Sequence, residues 1–172
     1  PAQALGQARS ARDLLEDGAR RIETEFKDQS EVQSEVARLI AAVYLQLGEH
    51  DRALPLLDAD LERRRRLDGP RSLAVAESLT QLANVHYEQG RFEEARARYE
   101  QALSIQRARR GERSPQAAEL LWDLAGVKRN GGDLRGAEEL QQQALAIYVG
   151  TRGADSPEAA SVRGSLAITY AD

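Results

Sequence analysis

Apolar residues recur along this chain at helical spacing, interrupted by short polar turns that return at a fixed interval. Leu79, Leu82 and Ala83 fall on one helical face, with His86 one turn further on. Ala95, Tyr99, Ala102 and Leu103 form a second face after the turn Gln89-Gly90-Arg91-Phe92. The same turn stands as Leu47-Gly48-Glu49-His50 and as Gly131-Gly132-Asp133-Leu134, so Gly48, Gly90 and Gly132 are each 42 residues apart. Ala53, Ala95 and Ala137 keep that interval, as do Leu61, Leu103 and Leu145, and Gly69, Gly111 and Gly153. Ile40, Leu82, Leu124 and Leu166, each followed by alanine, and Ser30, Ser72, Ser114 and Ser156 complete the frame. A fixed period of this length is the mark of a repeat architecture.

Each period predicts two helices, A and B. Helix A opens at the serine, whose hydroxyl can accept from the free amides of a first turn. Gln33 lies three residues after Ser30 and would close a capping box. Pro115 and Pro157 follow their serines, where a missing N–H costs nothing. The glycine turn ends helix A, and the second glycine sits where a left-handed residue would end helix B. Helices A are expected at about 30–47, 72–89, 114–131 and 156–171, and helices B at about 50–67, 92–109 and 134–150. Gly6, Ala11, Leu15 and Ala19 stand in the same frame one period upstream and suggest an earlier helix B, making eight helices. Alanine at the crossings lets the two helices of a hairpin approach closely, and leucine fills the space between hairpins. One hairpin cannot bury its apolar stripe alone, so at least three must stack. The fold expected is all-α: an α-solenoid, a right-handed superhelix of tandem antiparallel hairpins. Its parts are a degenerate N-terminal helix (1–29), repeats at 30–71, 72–113 and 114–155, and a truncated cap helix (156–172).

Composition narrows the function classes. Hydrophobic residues make up 41% and charged residues 30%, so the chain can build a core and keep a polar surface. Net charge is −4, and without a basic excess nucleic acid is not expected as a partner. Cysteine is absent, which excludes disulfides and thiolate metal sites. His50 and His86 have no second ligand at metal spacing, so neither metal nor cofactor is expected. No apolar run is long enough to span a bilayer, so membrane insertion is not expected. No nucleophile is coupled to a base, so an enzyme is not expected. The chain begins at Pro1 and ends within an apolar-periodic segment, as a piece of something longer would.

The stretch LANVHYEQGRFEEARARYEQAL (82–103) resembles the tetratricopeptide repeat. The 42-residue period exceeds the roughly 34 of the common repeat and resembles the kinesin-light-chain-like subtype. The G-x-x-S-P linkers at 111–115 and 153–157 and A-L-P-L at 53–56 resemble that subtype too. Residues 11–57 look like the segment that opens the repeat region of many bacterial serine/threonine protein kinases, often after a membrane-spanning helix. That resemblance implies a sensing or docking module, cytoplasmic or, beyond a membrane helix, extracytoplasmic. The sequence departs from the repeat in places. His86 and Lys128 stand where Tyr44 and Tyr170 hold a bulky position, Asp60 replaces the alanine of Ala102 and Ala144, and Gln141 stands in the place of Leu57 and Tyr99. Looser packing is expected there.

In such stacks the A helices line a concave surface, and the residues not used for packing face it. The repeat frame places Glu35, Arg38, Ala42 and Leu45 there, then Glu77, Thr80, Asn84 and Tyr87, then Glu119, Trp122, Gly126 and Arg129. Of these, Arg38, Leu45, Glu77, Thr80, Asn84, Tyr87, Glu119, Trp122 and Arg129 are the candidate peptide-binding groove. Aromatic and arginine side chains are the usual anchors of interfaces. Trp122, the single tryptophan, reads equally as a groove anchor and as packing against the next helix A. Asn84 resembles the asparagine of carboxylate-clamping repeats, but the clamp's basic residues are not matched in register. Arg38 and Arg129 would instead hold an acidic peptide. Arg63–Arg66 read as a solvated helix C-terminus, where cations are favourable. Asn130-Gly131-Gly132-Asp133 lies between helices and lacks the lysine of a phosphate-binding loop, so it reads as a turn. The function expected is a non-catalytic module binding a peptide or protein in its groove, as a scaffold or sensor region of a bacterial signalling protein. The alternatives are self-association through the solenoid ends and, less favoured by a polar groove, small-molecule sensing.

Overall fold

The computed structural model describes residues 11–25 and 29–171, and among them it is entirely helical. The helices are α1 (Ala11–Glu25), α2 (Ser30–Gln46), α3 (His50–Leu67), α4 (Leu73–Glu88), α5 (Phe92–Arg110), α6 (Pro115–Asn130), α7 (Leu134–Arg152) and α8 (Pro157–Ala171). Gly6, read as part of the first helix, lies outside the described residues. The chain divides into two compact units, residues 1–63 and 64–172, with the boundary inside α3.

Three glycine turns share one set of backbone hydrogen bonds. Gly48 donates to the Leu45 carbonyl at 3.0 Å and Glu49 to that of Tyr44 at 2.8 Å. The pairs Gly90–Tyr87 and Arg91–His86 repeat this, as do Gly132–Arg129 and Asp133–Lys128. This is the Schellman termination, with the glycine in a positive-φ conformation. The second glycine of each repeat also has positive φ, and in two of them it is not left-handed helical. Gly111 lies at φ 93°, ψ 160° and Gly153 at φ 96°, ψ 159°. That region is closed to residues with a Cβ, a stricter demand than the left-handed one. The carbonyls of Gly69, Gly111 and Gly153 accept from the amides of Ser72, Ser114 and Ser156. These serines in turn cap the next helix through Val75, Ala117 and Ala159 at 3.2, 3.2 and 3.3 Å.

Ser30 does not follow suit. It is the first residue of α2, the cap position falls to Gln29, and no side chain caps that end. The capping box expected with Gln33 is absent, because Gln33 is buried and bonded elsewhere. Its amide donates to the Ile22 carbonyl at 3.2 Å, and its oxygen accepts from Arg63 Nε at 3.1 Å.

In the second unit α4 pairs with α5 and α6 with α7, while α5 packs on α6 and α7 on α8. The crossings are made by Ala83, Ala95, Ala102, Ala125, Ala137 and Ala144, each with no exposed surface. Leu79, Leu82, Leu121 and Leu124 fill the space around them. Asp60 and Gln141, where looser packing was expected, are 0% and 1% exposed. The Gln141 amide donates to Ser165 Oγ at 2.8 Å. The arginine run also differs from its reading as a solvated helix end. Arg63 is buried, with Nη1 3.9 Å from Asp60 Oδ1, and only Arg66 of the four is exposed. The glycines of Asn130–Asp133 form a turn, after which Asp133 caps α7 through the Gly136 amide and pairs with Lys128 at 2.5 Å.

Candidate functional site

Two helices of the second unit present the groove residues in matching register. Glu77, Thr80, Asn84 and Tyr87 run along one face of α4, and Glu119, Trp122, Gly126 and Arg129 run along the equivalent face of α6. Asn84, Tyr87, Trp122, Gly126 and Arg129 line a single recess of about 380 Å³, joined by Glu88, Tyr99, Asp123 and Ser165. Position 126 is glycine where the preceding repeat has Asn84, and the Tyr87 ring packs close against it, its hydroxyl 3.3 Å from where a Cβ on Gly126 would stand.

Most of the wall is fixed. Tyr99 donates its hydroxyl proton to Asn84 Oδ1 at 2.6 Å, and Asn130 Nδ2 donates to the Tyr87 hydroxyl at 2.7 Å. The Tyr87 ring meets Phe92 edge-on at 5.6 Å. Trp122 is half-buried and lines the recess. The other candidates lie elsewhere. Glu77 and Glu119 are exposed, and Thr80 donates to the Ala76 carbonyl of its own helix at 2.9 Å. Arg38 and Leu45 are half-buried in the first unit.

The residues missed in sequence are Glu88 and Ser165, Tyr99, which reads as hairpin packing, and Asp123, which reads as part of an amphipathic helix. Asp123 carried a signal nonetheless, as a lone carboxylate inside the run Leu120-Leu121-Trp122-Asp123-Leu124-Ala125. Burial pushes its pKa up to about 7, with the Glu119 carboxylate one turn away adding to the shift. Burial likewise raises the Tyr99 phenol, with Asp123 contributing, and raises Tyr148 to about 12, with Glu119 and Asp123 contributing. The acid is thus an uncompensated charge that its neighbours register. Among the described residues no group of three metal-ligating side chains gathers, and no helix is long and apolar enough to cross a membrane.

Two family models, both described as tetratricopeptide repeat, match the chain at residues 32–108 and 119–158. Among solved structures, BtubC (BKLC) from P. vanneervenii is similar, with a TM-score of 0.78 and 23% identity over 94% of this chain. The chain spans 64% of the length of that protein. Repeats of a Podosopora anserina kinesin light chain, described as nearly identical and TPR-like, match in two structures with TM-scores of 0.64 and 0.62. Each is 20% identical over 93% of this chain, which covers 84% and 85% of those chains. No curated protein matches the sequence. At these identities the structural likeness shows the fold: a kinesin-light-chain-like array of tetratricopeptide repeats.

Proposed function

We propose that this chain of tetratricopeptide repeats binds a peptide or protein on the face shared by α4 and α6, as a scaffold or sensing region of a larger signalling protein. Tetratricopeptide repeats are generally protein-interaction modules. The observation that carries the reading here is the recess itself. Four residues set aside by the repeat frame as unused in packing, Asn84, Tyr87, Trp122 and Arg129, meet around one opening. A large aromatic side chain held at a concave opening is the kind of anchor that dominates interface energetics. The likeness of residues 11–57 to the segment that opens the repeat region of bacterial serine/threonine kinases supports such a parent.

The test is capture of partners by the wild-type chain beside a variant carrying Trp122→Ala and Arg129→Glu, with circular dichroism showing both folded. Partners held by wild type and lost by the variant are expected. Equal capture by both would overturn the reading. A second reading, self-assembly, is favoured by α8, where Ile168 and Tyr170 are 53% and 63% exposed. Sedimentation that stays monomeric across a wide concentration range would remove it.

A further inference from the structure

We infer that the recess receives a basic side chain, lysine or arginine, from an extended stretch of the partner, with Asp123 as its counter-charge and Trp122 as the ring beside it. The inference rests on the interaction reading above and names the chemistry that the site selects.

Charge decides first. Glu88 and Asp123 line the recess, and Glu119 acts on Asp123 from one turn earlier in α6. The Arg129 guanidinium also lines it, yet it is not among the charges that act on Asp123. An acidic side chain, the guest expected from Arg129 alone, would have the Asp123 and Glu88 carboxylates beside it as well as that guanidinium. A cation meets a carboxylate that is already desolvated and has no cationic partner among the described residues. Burying such a group has a cost in the free protein, and an arriving ammonium or guanidinium relieves it. Aromatic rings at the same opening add the attraction of a cation to a π face, strongest for tryptophan. The volume of about 380 Å³ lies at the small end of ligand sites, suited to one long side chain and too small for a folded surface.

Ionisation of Asp123 then gates binding. The titratable and charged groups that face it or line the recess are Tyr87 and Glu88 on α4, Tyr99 on α5, Glu119 and Arg129 on α6, and Tyr148 on α7. From α8 the neutral Ser165 lines the recess, and the Glu158 carboxylate, paired with Arg152 at 2.5 Å, acts on Tyr148. Asp123 is the group among them pushed up to about 7. Only its ionised form offers the counter-charge, so apparent affinity for a cation should rise about tenfold from pH 6 to pH 8.

The single tryptophan makes occupancy directly visible. Trp122 emission would be followed while titrating Gly/Ser peptides that carry one central lysine, arginine, norleucine or glutamate. Saturable shifts are expected with lysine and arginine and not with norleucine or glutamate. The rise with pH should vanish in Asp123→Asn, which should also weaken lysine-peptide binding about tenfold at pH 8. Norleucine binding as tightly as lysine would overturn the counter-charge. Glutamate binding best, and lost in Arg129→Gln, would overturn the cationic guest while leaving the recess as an interaction site. No response to any peptide overturns the inference, and the partner-capture result then decides the broader reading separately.

Discussion

The two units solve one packing problem with different chemistry. Position 33 is glutamine in the first repeat and Val75 or Ala117 in the next two. Position 60 is aspartate there, against Ala102 and Ala144, and position 63 is arginine, against Ile105 and Ile147. All nine are buried. In the second unit these sites are ordinary apolar core. In the first they form a connected polar group: Gln33 accepts from Arg63, and Arg63 faces Asp60. The Gln33 amide also reaches the Ile22 carbonyl, one of the last four of α1, which a helix leaves without a partner of its own. The three polar residues therefore work as one connected set. One of them fastens the degenerate helix α1 to the first full repeat, a task that a valine at position 33 could not perform.

Arg63→Ala leaves Asp60 buried beside an empty site, and removing one partner of a buried pair costs about 3 kcal/mol or more. For a chain of this size that should lower the melting temperature by roughly 10 °C. Replacing the whole set by its counterparts from the second repeat (Gln33→Val, Asp60→Ala, Arg63→Ile) should cost no more than about 1 kcal/mol, and can stabilise, since apolar isosteres commonly match buried ion pairs. Thermal unfolding of both variants decides the matter. A triple variant as unstable as Arg63→Ala would show that the polar set carries stability of its own.

Asp60 and Asp123 are both shielded aspartates, and of the two Asp60 is the one that faces a cation. Between about pH 4 and pH 7 the folded chain keeps a proton on Asp123 that the unfolded chain has already released. Its contribution to stability is therefore full below pH 4 and falls as pH rises through that window. The gap from 3.8 to about 7 corresponds to about 4 kcal/mol at most. Water entering the open recess reduces this, and Asp123→Asn is expected to gain about 2 kcal/mol at pH 8. At pH 4 the substitution should be nearly neutral. Urea unfolding at the two pH values checks the sign, and a gain that is equal at both would remove the unpaired charge from the account.

Much of the architecture was legible in advance, for a reason that also explains the misses. The period superimposes each helix on its counterparts, so the ends of α3 through α8 fall within about two residues of expectation. The same superposition could have placed Arg63, since its register partners are both isoleucines. Reading it inside a run of four arginines hid that. Asn84, Tyr87, Trp122 and Arg129, named by setting aside the packing positions of helix A in two repeats, line one recess. Tyr99 and Asp123 fall outside those positions: Tyr99 comes from α5, across the hairpin, where it donates to Asn84, and Asp123 is the residue next to Trp122 on α6. Spacing within one helix A does not encode what the paired helix brings to its face.

The two units differ at their helix starts as well. Ser114 accepts from the Ala117 amide at 3.2 Å, and Ser72 and Ser156 repeat this bond, but Ser30 stands one place further in, as the first residue of α2. A capping hydroxyl satisfies a first-turn amide that otherwise depends on water, and its loss typically costs about 1 kcal/mol. Ser114 is also buried, so water cannot easily replace its hydroxyl, and Ser114→Ala should show that full cost. Ser30→Ala places a better helix former at a position with no cap to lose, so it should be neutral or gain a few tenths of a kcal/mol. Denaturant midpoints at constant m-value measure both. Equal losses would mean that Ser30 caps α2 in solution and that Gln33 is free for the capping box. The polar set fastening α1 would then have to be abandoned, and the first unit would follow the same rules as the second.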